Sequence, residues 1–167
     1  AVRPFCESLR VVPLPVYRSL AGLPLRWLTG RPLQCGLYDS VALTRAVAEE
    51  LVGGVDLVHL QLARLDALVP SIPKHPLYVD LVDALSLSTE RRARRTRAPL
   101  RFLLEIEARR IRRVEEAIRS RADGAAVVSE ADARALGAPG HLSVVPLGVD
   151  GGAFPFDDSP RDGVTVA

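Results

Sequence analysis

The chain has 167 residues, of which 48% are hydrophobic and 25% charged, and its net charge is +2. That balance is ordinary for a folded globular domain and excludes a disordered or collagen-like chain. No apolar run approaches the roughly 18–20 residues that span a bilayer, and no cleavable signal pattern opens the sequence.

Short apolar runs alternate with helical patterns along the chain. Strands are predicted at Leu9–Val12, Leu33–Tyr38, Val55–Leu60, Leu77–Val82, Gly124–Val128 and Leu142–Val145. Helices are predicted at Ser40–Val52, Gln61–Val69, Leu87–Arg95, Pro99–Arg121 and Glu130–Leu136. The strand runs are apolar throughout, as for strands covered on both faces. Strand-helix alternation of this kind predicts an α/β fold with a doubly wound parallel sheet. Ligands gather at the carboxyl ends of such strands, so the residues just after each strand carry the candidate chemistry.

Both ends read as cut. The sequence contains no Met, opens inside the helix-to-strand connection FCESLRVVPLP and closes on GVTVA, which reads as the first buried strand of another domain. The expected organisation is one domain over residues 1–150, lacking its first strand. Residues 151–167 would be an interdomain linker and the start of a second domain.

After Val55–Leu60 come Gln61 and Arg64, three apart and on one face of a helix start. They would hold sugar hydroxyls or a phosphate, or Arg64 would form a surface salt bridge with Asp66 or Asp123. His59, inside the apolar run, reads as a core imidazole. After Leu77–Val82 comes Asp83, followed by Ala84 and Ser86. Asp83 either faces the crevice or caps the next helix. Asp80 lies within the run and would need a buried partner; three residues from Asp83 on an extended segment, it forms no carboxylate dyad with it. Gln61, Arg64 and Ser86 are the candidate substrate contacts and Asp83 the candidate catalytic residue.

Several chemistries lack their signatures. No Gly-rich phosphate loop or dinucleotide fingerprint precedes a helix, no metal-ligand spacing occurs, and no Gly-x-Ser-x-Gly elbow is present. No metal and no cofactor are expected. Cys6 and Cys35 read as reduced thiols. Of the 22 basic residues only Lys74 is a lysine, which fits a high-GC bacterial coding bias.

Residues 88–121 hold twelve Arg against five Glu. Within them, Leu100, Leu104, Ile111, Val114 and Ile118 form a helical stripe that also carries Glu107. Glu105–Arg109, Arg112–Glu116 and Glu115–Arg119 are predicted i,i+4 pairs on a solvated face. The segment RRARRTR, with Arg91, Arg92, Arg94 and Arg95, has no acidic partner besides Glu90 and would attract the phosphates of an anionic membrane surface. Nucleic acid fits less well, because no aromatic residues stand nearby for base stacking.

The most specific stretch is VVSEADARALGAPGHLSVVPLGVDGGAF, residues 127–154. Ser129 is a good N-cap with acidic residues in the first turn, and Gly137 and Pro139 stop the helix. This order resembles the end of the N-terminal domain of GT-B glycosyltransferases, where "vvSexD…L" and "vvPNGVD…F" lead into the interdomain crossover. Leu147 stands where that family usually has Asn. Together with DLVHLQLAR, VDLVDALSLS and PLRFLLEIEARRIRRVEE, the pattern is similar to a bacterial subgroup of family-four-type sugar transferases linked to exopolysaccharide and exosortase systems. The resemblance covers roughly residues 5–154.

The resemblance implies the acceptor-side, Rossmann-like half of a cytoplasmic hexosyltransferase, peripheral to the inner face of the cell membrane. It implies transfer from a nucleotide-sugar donor, bound mainly by the absent domain, to a lipid-linked or polysaccharide acceptor, with retention and without a metal. Asp83 matches the strand-end polar residue that the family places near the transferred sugar, and Pro146, Gly148 and Asp150 match the interdomain hinge. The family's glycine loop and paired donor-binding glutamates have no counterpart here, so this segment alone is expected to be inactive. Two other readings stay open. One is a non-enzymatic module docking on membrane or nucleic acid through its Arg-rich helix. The other, a relative of nucleotide-sugar epimerases or dehydrogenases, is disfavoured by the missing fingerprint.

Overall fold

Four strands, β1 (Val58–Gln61), β2 (Leu77–Val82), β3 (Gly124–Val127) and β4 (Leu142–Val144), form one all-parallel sheet in the order β1-β2-β3-β4. They belong to a computed structural model that describes residues 5–14, 16–137 and 141–153. Helices α1 (Val16–Leu28), α2 (Leu33–Gly36) and α3 (Val41–Val52) precede the sheet. A 3-10 helix (Ala63–Ser71) joins β1 to β2. Helices α4 (Leu85–Arg94) and α5 (Leu100–Arg121) join β2 to β3, and α6 (Glu130–Leu136) joins β3 to β4.

The strand order advances in one direction. Right-handed crossovers then put every connecting helix on the same face of the sheet. Burial agrees with this. The register sets Leu60 beside Val79, Val79 beside Ala125 and Val127 beside Val144, and that face packs against Leu68 and Ile72 of the 3-10 helix, Ile118 of α5, and Ala133 and Leu136 of α6. The opposite face carries His59, Tyr78 and Gly124 in one row, and Gln61, Asp80, Ala126 and Ser143 in the next.

β2 therefore alternates, with Leu77, Val79 and Leu81 buried and Tyr78, Asp80 and Val82 half-buried. The expectation of strands apolar on both faces fails here, because the core of the described residues lies on one side. His59 is exposed and meets Tyr78 edge to face at 5.7 Å, so it is no core imidazole. Asp80 is half-buried, and its Oδ1 accepts from the Val82 N–H at 3.0 Å. Gly124 lets the Tyr78 ring lie against the sheet: a Cβ there would stand 2.9 Å from that ring.

Other departures have local causes. Leu9–Val12 forms no strand among the described residues; Arg10 instead reaches Glu49 and Glu50 on α3, at 2.7 and 3.2 Å. Leu33–Tyr38 is not a strand. Pro32, with φ of −62°, starts α2 there, and Glu107 accepts the Gln34 N–H at 3.1 Å. α1 was not predicted, because Gly22 and Pro24 interrupt its helical pattern. Gln61 ends β1, so the helical segment begins only at Ala63. The caps of α6 match expectation: Ser129 Oγ accepts the Asp132 N–H at 3.2 Å, and Gly137 is left-handed with φ of 74°.

Candidate active site at the carboxyl edge of the sheet

The chain leaves β1 and β2 through two unusual turns. Leu62, next after β1, has φ of 74°, and Val82, the last residue of β2, has φ of 63°. A left-handed backbone is uncommon outside glycine and is an outlier for a β-branched residue. The Asp83 N–H donates to Leu81 O at 2.8 Å, closing a three-residue turn about Val82 of the rare, strained kind. Each such residue costs on the order of 1–3 kcal/mol, and such strain clusters at functional sites. Leu62 N–H also donates to Asp80 O at 2.8 Å, so both turns sit on neighbouring strands at the same edge. Residue type carries no signal for these conformations, and sequence reasoning missed them.

Arg64 and Asp83 lie together at this edge, lining one small cleft with Leu62, Leu81 and Leu85. Arg64 Nη2 donates to Gln34 Oε1 at 3.3 Å. It does not pair with Asp66 or Asp123: Asp66 takes Arg31 at 2.5 Å, and Asp123 accepts the Leu77 N–H at 2.8 Å. Asp83 is half-buried and accepts from Ser88 Oγ at 3.1 Å. It is not the cap of α4. The cap position is Ala84, whose N–H donates to Asp132 Oδ1 at 3.0 Å. Gln61 is exposed at the end of β1. The cleft holds only about 10 Å³, room for about one water. A ligand would lie across this edge, with more surface needed to enclose it.

Ser86 does not belong to the edge. It is fully buried, and its N–H donates to Glu115 Oε1 at 3.1 Å. A side chain without exposed surface does not touch a substrate lying on the strand ends. Its neighbour Glu115 is also fully buried, although the i,i+4 reading put it on a solvated face with Arg119, itself buried. Burial pushes the Glu115 carboxyl above its ordinary value, opposed by hydrogen bonds from Ser86 and Leu85 and by Arg112. Burial likewise pushes Glu107 up, against the N–H groups of Gln34 and Leu33. Glu107, Glu115 and Asp132 thus serve the open N–H groups at the starts of α2 and α4. None of the predicted surface pairs on α5 forms among the described residues; its ion pairs are instead Arg101–Glu105 at 2.8 Å, Arg112–Glu90 at 2.6 Å and Arg121–Asp123 at 4.0 Å.

Burial also pushes the Cys35 thiol up to about 12, which keeps it protonated and unreactive at neutral pH. Among the described residues no group of His, Cys, Asp and Glu has the arrangement of a metal site. Pro146, Gly148 and Asp150 lie in an exposed segment after β4. Gly148 is not left-handed, and Asp150 Oδ1 accepts the Gly152 N–H at 2.9 Å. Phe154 lies outside the described residues. Arg91, Arg92, Arg94 and Arg95 are all exposed at the end of α4, where cations complement the helix dipole.

Comparison with protein-family models, with curated proteins and with solved structures finds no match for this chain.

Proposed function

We propose that this chain is the acceptor-side domain of a GT-B glycosyltransferase that moves a hexose from a nucleotide-sugar donor to a lipid-linked or polysaccharide acceptor. The observation that carries the reading is the pair of strained non-glycine turns, Leu62 and Val82, bracketing Arg64 and Asp83 at neighbouring strand ends. On this reading Gln61 and Arg64 hold hydroxyls of the sugars, and Asp83 orients the reacting one. The shallow cleft becomes a crevice when a second domain closes over it; residues 154–167, in which that domain is expected to begin, lie outside the described residues. That domain supplies the helix N-termini and basic groups that stabilise the departing nucleoside diphosphate, and the transfer needs no cofactor. Helices on the polar face of the sheet would complete the doubly wound domain to which residues 1–150 belong.

Turnover tests the proposal. The protein encoded by the whole reading frame, incubated with uridine and guanosine diphosphate sugars and a bacterial lipid extract, should release nucleoside diphosphate and label the lipid or glycan fraction. Release with none of these donors would contradict it. The reading as a non-enzymatic module rests on the exposed Arg91, Arg92, Arg94 and Arg95, and a reading frame ending soon after Ala167 would favour it.

A further inference from the structure

The N-terminal turns of α5 do not end in the core. Leu100 and Leu103 are 48% and 47% exposed, and Phe102 beside them is 60% exposed. α1 also carries exposed leucines, Leu25 and Leu28, at 70% and 76%. Between the two helices opens a cavity of about 390 Å³ whose walls are Leu23, Trp27, Leu33, Leu100, Leu103 and Leu104. Arg110 holds the Trp27 ring against this cavity: its guanidinium stacks 4.5 Å from the ring centre and donates to Trp27 O at 2.6 Å. Exposed apolar surface gathered around an apolar cavity marks an interaction site.

The charge beside it selects the occupant. Residues 90–105 carry six Arg and two Glu, a net +4. Both acids are already engaged, Glu90 by Arg112 and Glu105 by Arg101. Arg91, Arg92, Arg94, Arg95 and Arg97 are exposed and in no ion pair among the described residues. A second copy of the chain would set +4 against +4. A bilayer with anionic headgroups meets both halves of the surface, since leucines and Phe enter the acyl region while arginines stay with the phosphates.

We propose that the face formed by α1 and the first turns of α5 docks on an anionic bilayer, with one hydrocarbon chain of a lipid entering the cavity beside Trp27. Glu107 closes the cavity floor. It is 5% exposed, and its Oε2 has no hydrogen-bond partner among the described residues. The burial that favours its neutral form lowers the cost of facing a hydrocarbon chain. The docking stands independently of sugar transfer, and so does its test.

Trp27 is the one tryptophan of the sequence, so its emission reports on the cavity alone. Vesicles of phosphatidylcholine with phosphatidylglycerol, carrying bromine on their acyl chains, should shift its emission to the blue and quench it. Pure phosphatidylcholine vesicles should do neither. Leu103→Glu and, separately, Phe102→Ser alter exposed positions, leave the melting temperature unchanged and should remove most of the quenching. Changing Arg91, Arg92, Arg94 and Arg95 to Gln should weaken vesicle binding at least 100-fold, at about fivefold per basic residue near the surface. Binding without Trp27 quenching, or no binding at all, overturns the proposal. So does a lipid-free dimer in light scattering that Leu103→Glu dissolves, because the face would then be a self-association surface.

Discussion

The interior of this domain and the carboxyl edge of its sheet use carboxylates in opposite ways. Glu115 and Asp132 are buried, and each accepts a backbone N–H at the start of α4, from Ser86 at 3.1 Å and from Ala84 at 3.0 Å. Asp83, one residue before that cap, is half-buried, takes only the Ser88 hydroxyl among the described residues and follows a strained turn. Capping of α4 by residues from α5 and α6 frees Asp83 from that task. The contrast teaches that a carboxylate after a parallel strand is open for chemistry only when the helix following it is capped from elsewhere.

The sharpest way to break the comparison is Glu115→Ala. Removing a buried acceptor orphans the Ser86 N–H and opens a cavity, which costs about 2–4 kcal/mol. Urea denaturation should show this, and a loss under 1 kcal/mol would mean that α4 is capped by water or other groups. Asp132→Ala should cost about 1–3 kcal/mol by the same route. Both variants should lose stability first and activity only through it.

A second contrast lies in backbone strain. Val82→Gly exchanges a half-buried side chain for relief of a left-handed β-branched residue, so stability should change by less than about 1 kcal/mol. Val79→Gly, on the same strand but fully buried, should cost about 3 kcal/mol. Equal losses in thermal melts would mean that Val82 carries no strain.

The smallest effect is in pH dependence. Burial raises the carboxyls of Glu107 and Glu115 from an ordinary 4.5, and that of Asp66 from 3.8. The native state then holds these protons longer than the unfolded chain does. The stability they contribute is fully present below the ordinary values and falls as pH rises through the raised native ones. Glu115→Gln keeps an acceptor for Ser86 and should flatten the decline that sets in above the ordinary carboxyl value of 4.5, relative to wild type. An unchanged slope would place the Glu115 carboxyl at its ordinary value.

Much of this was legible in the sequence, for physical reasons that differ by element. β2 and α6 match their predicted bounds, Leu77–Val82 and Glu130–Leu136, because an apolar run broken only by Asp80 and a Ser129 cap act locally. Arg64 and Asp83 were legible because they follow strands, and a parallel sheet gathers its strand ends. The conformations of Leu62 and Val82 were not, since neither residue type signals a left-handed backbone. Ser86 and Glu115 were misplaced because helical periodicity cannot tell a solvated face from one buried by another helix. α4 and α5 pack against each other, and that contact is set by tertiary structure alone. The polar face of the sheet was missed for a related reason: His59 and Asp80 interrupt apolar runs only singly, and period-two alternation shows once the register is known.

The measurement that bears most directly on the carboxyl edge is sugar transfer by the complete protein carrying Asp83→Asn. Shape is retained and α4 keeps its cap from Asp132, so the melting temperature should stay within about 2 °C of wild type. If Asp83 orients the reacting hydroxyl as proposed, turnover with the active donor should fall about 100-fold or more. Full turnover in a stably folded Asp83→Asn protein would contradict the assignment of the active edge.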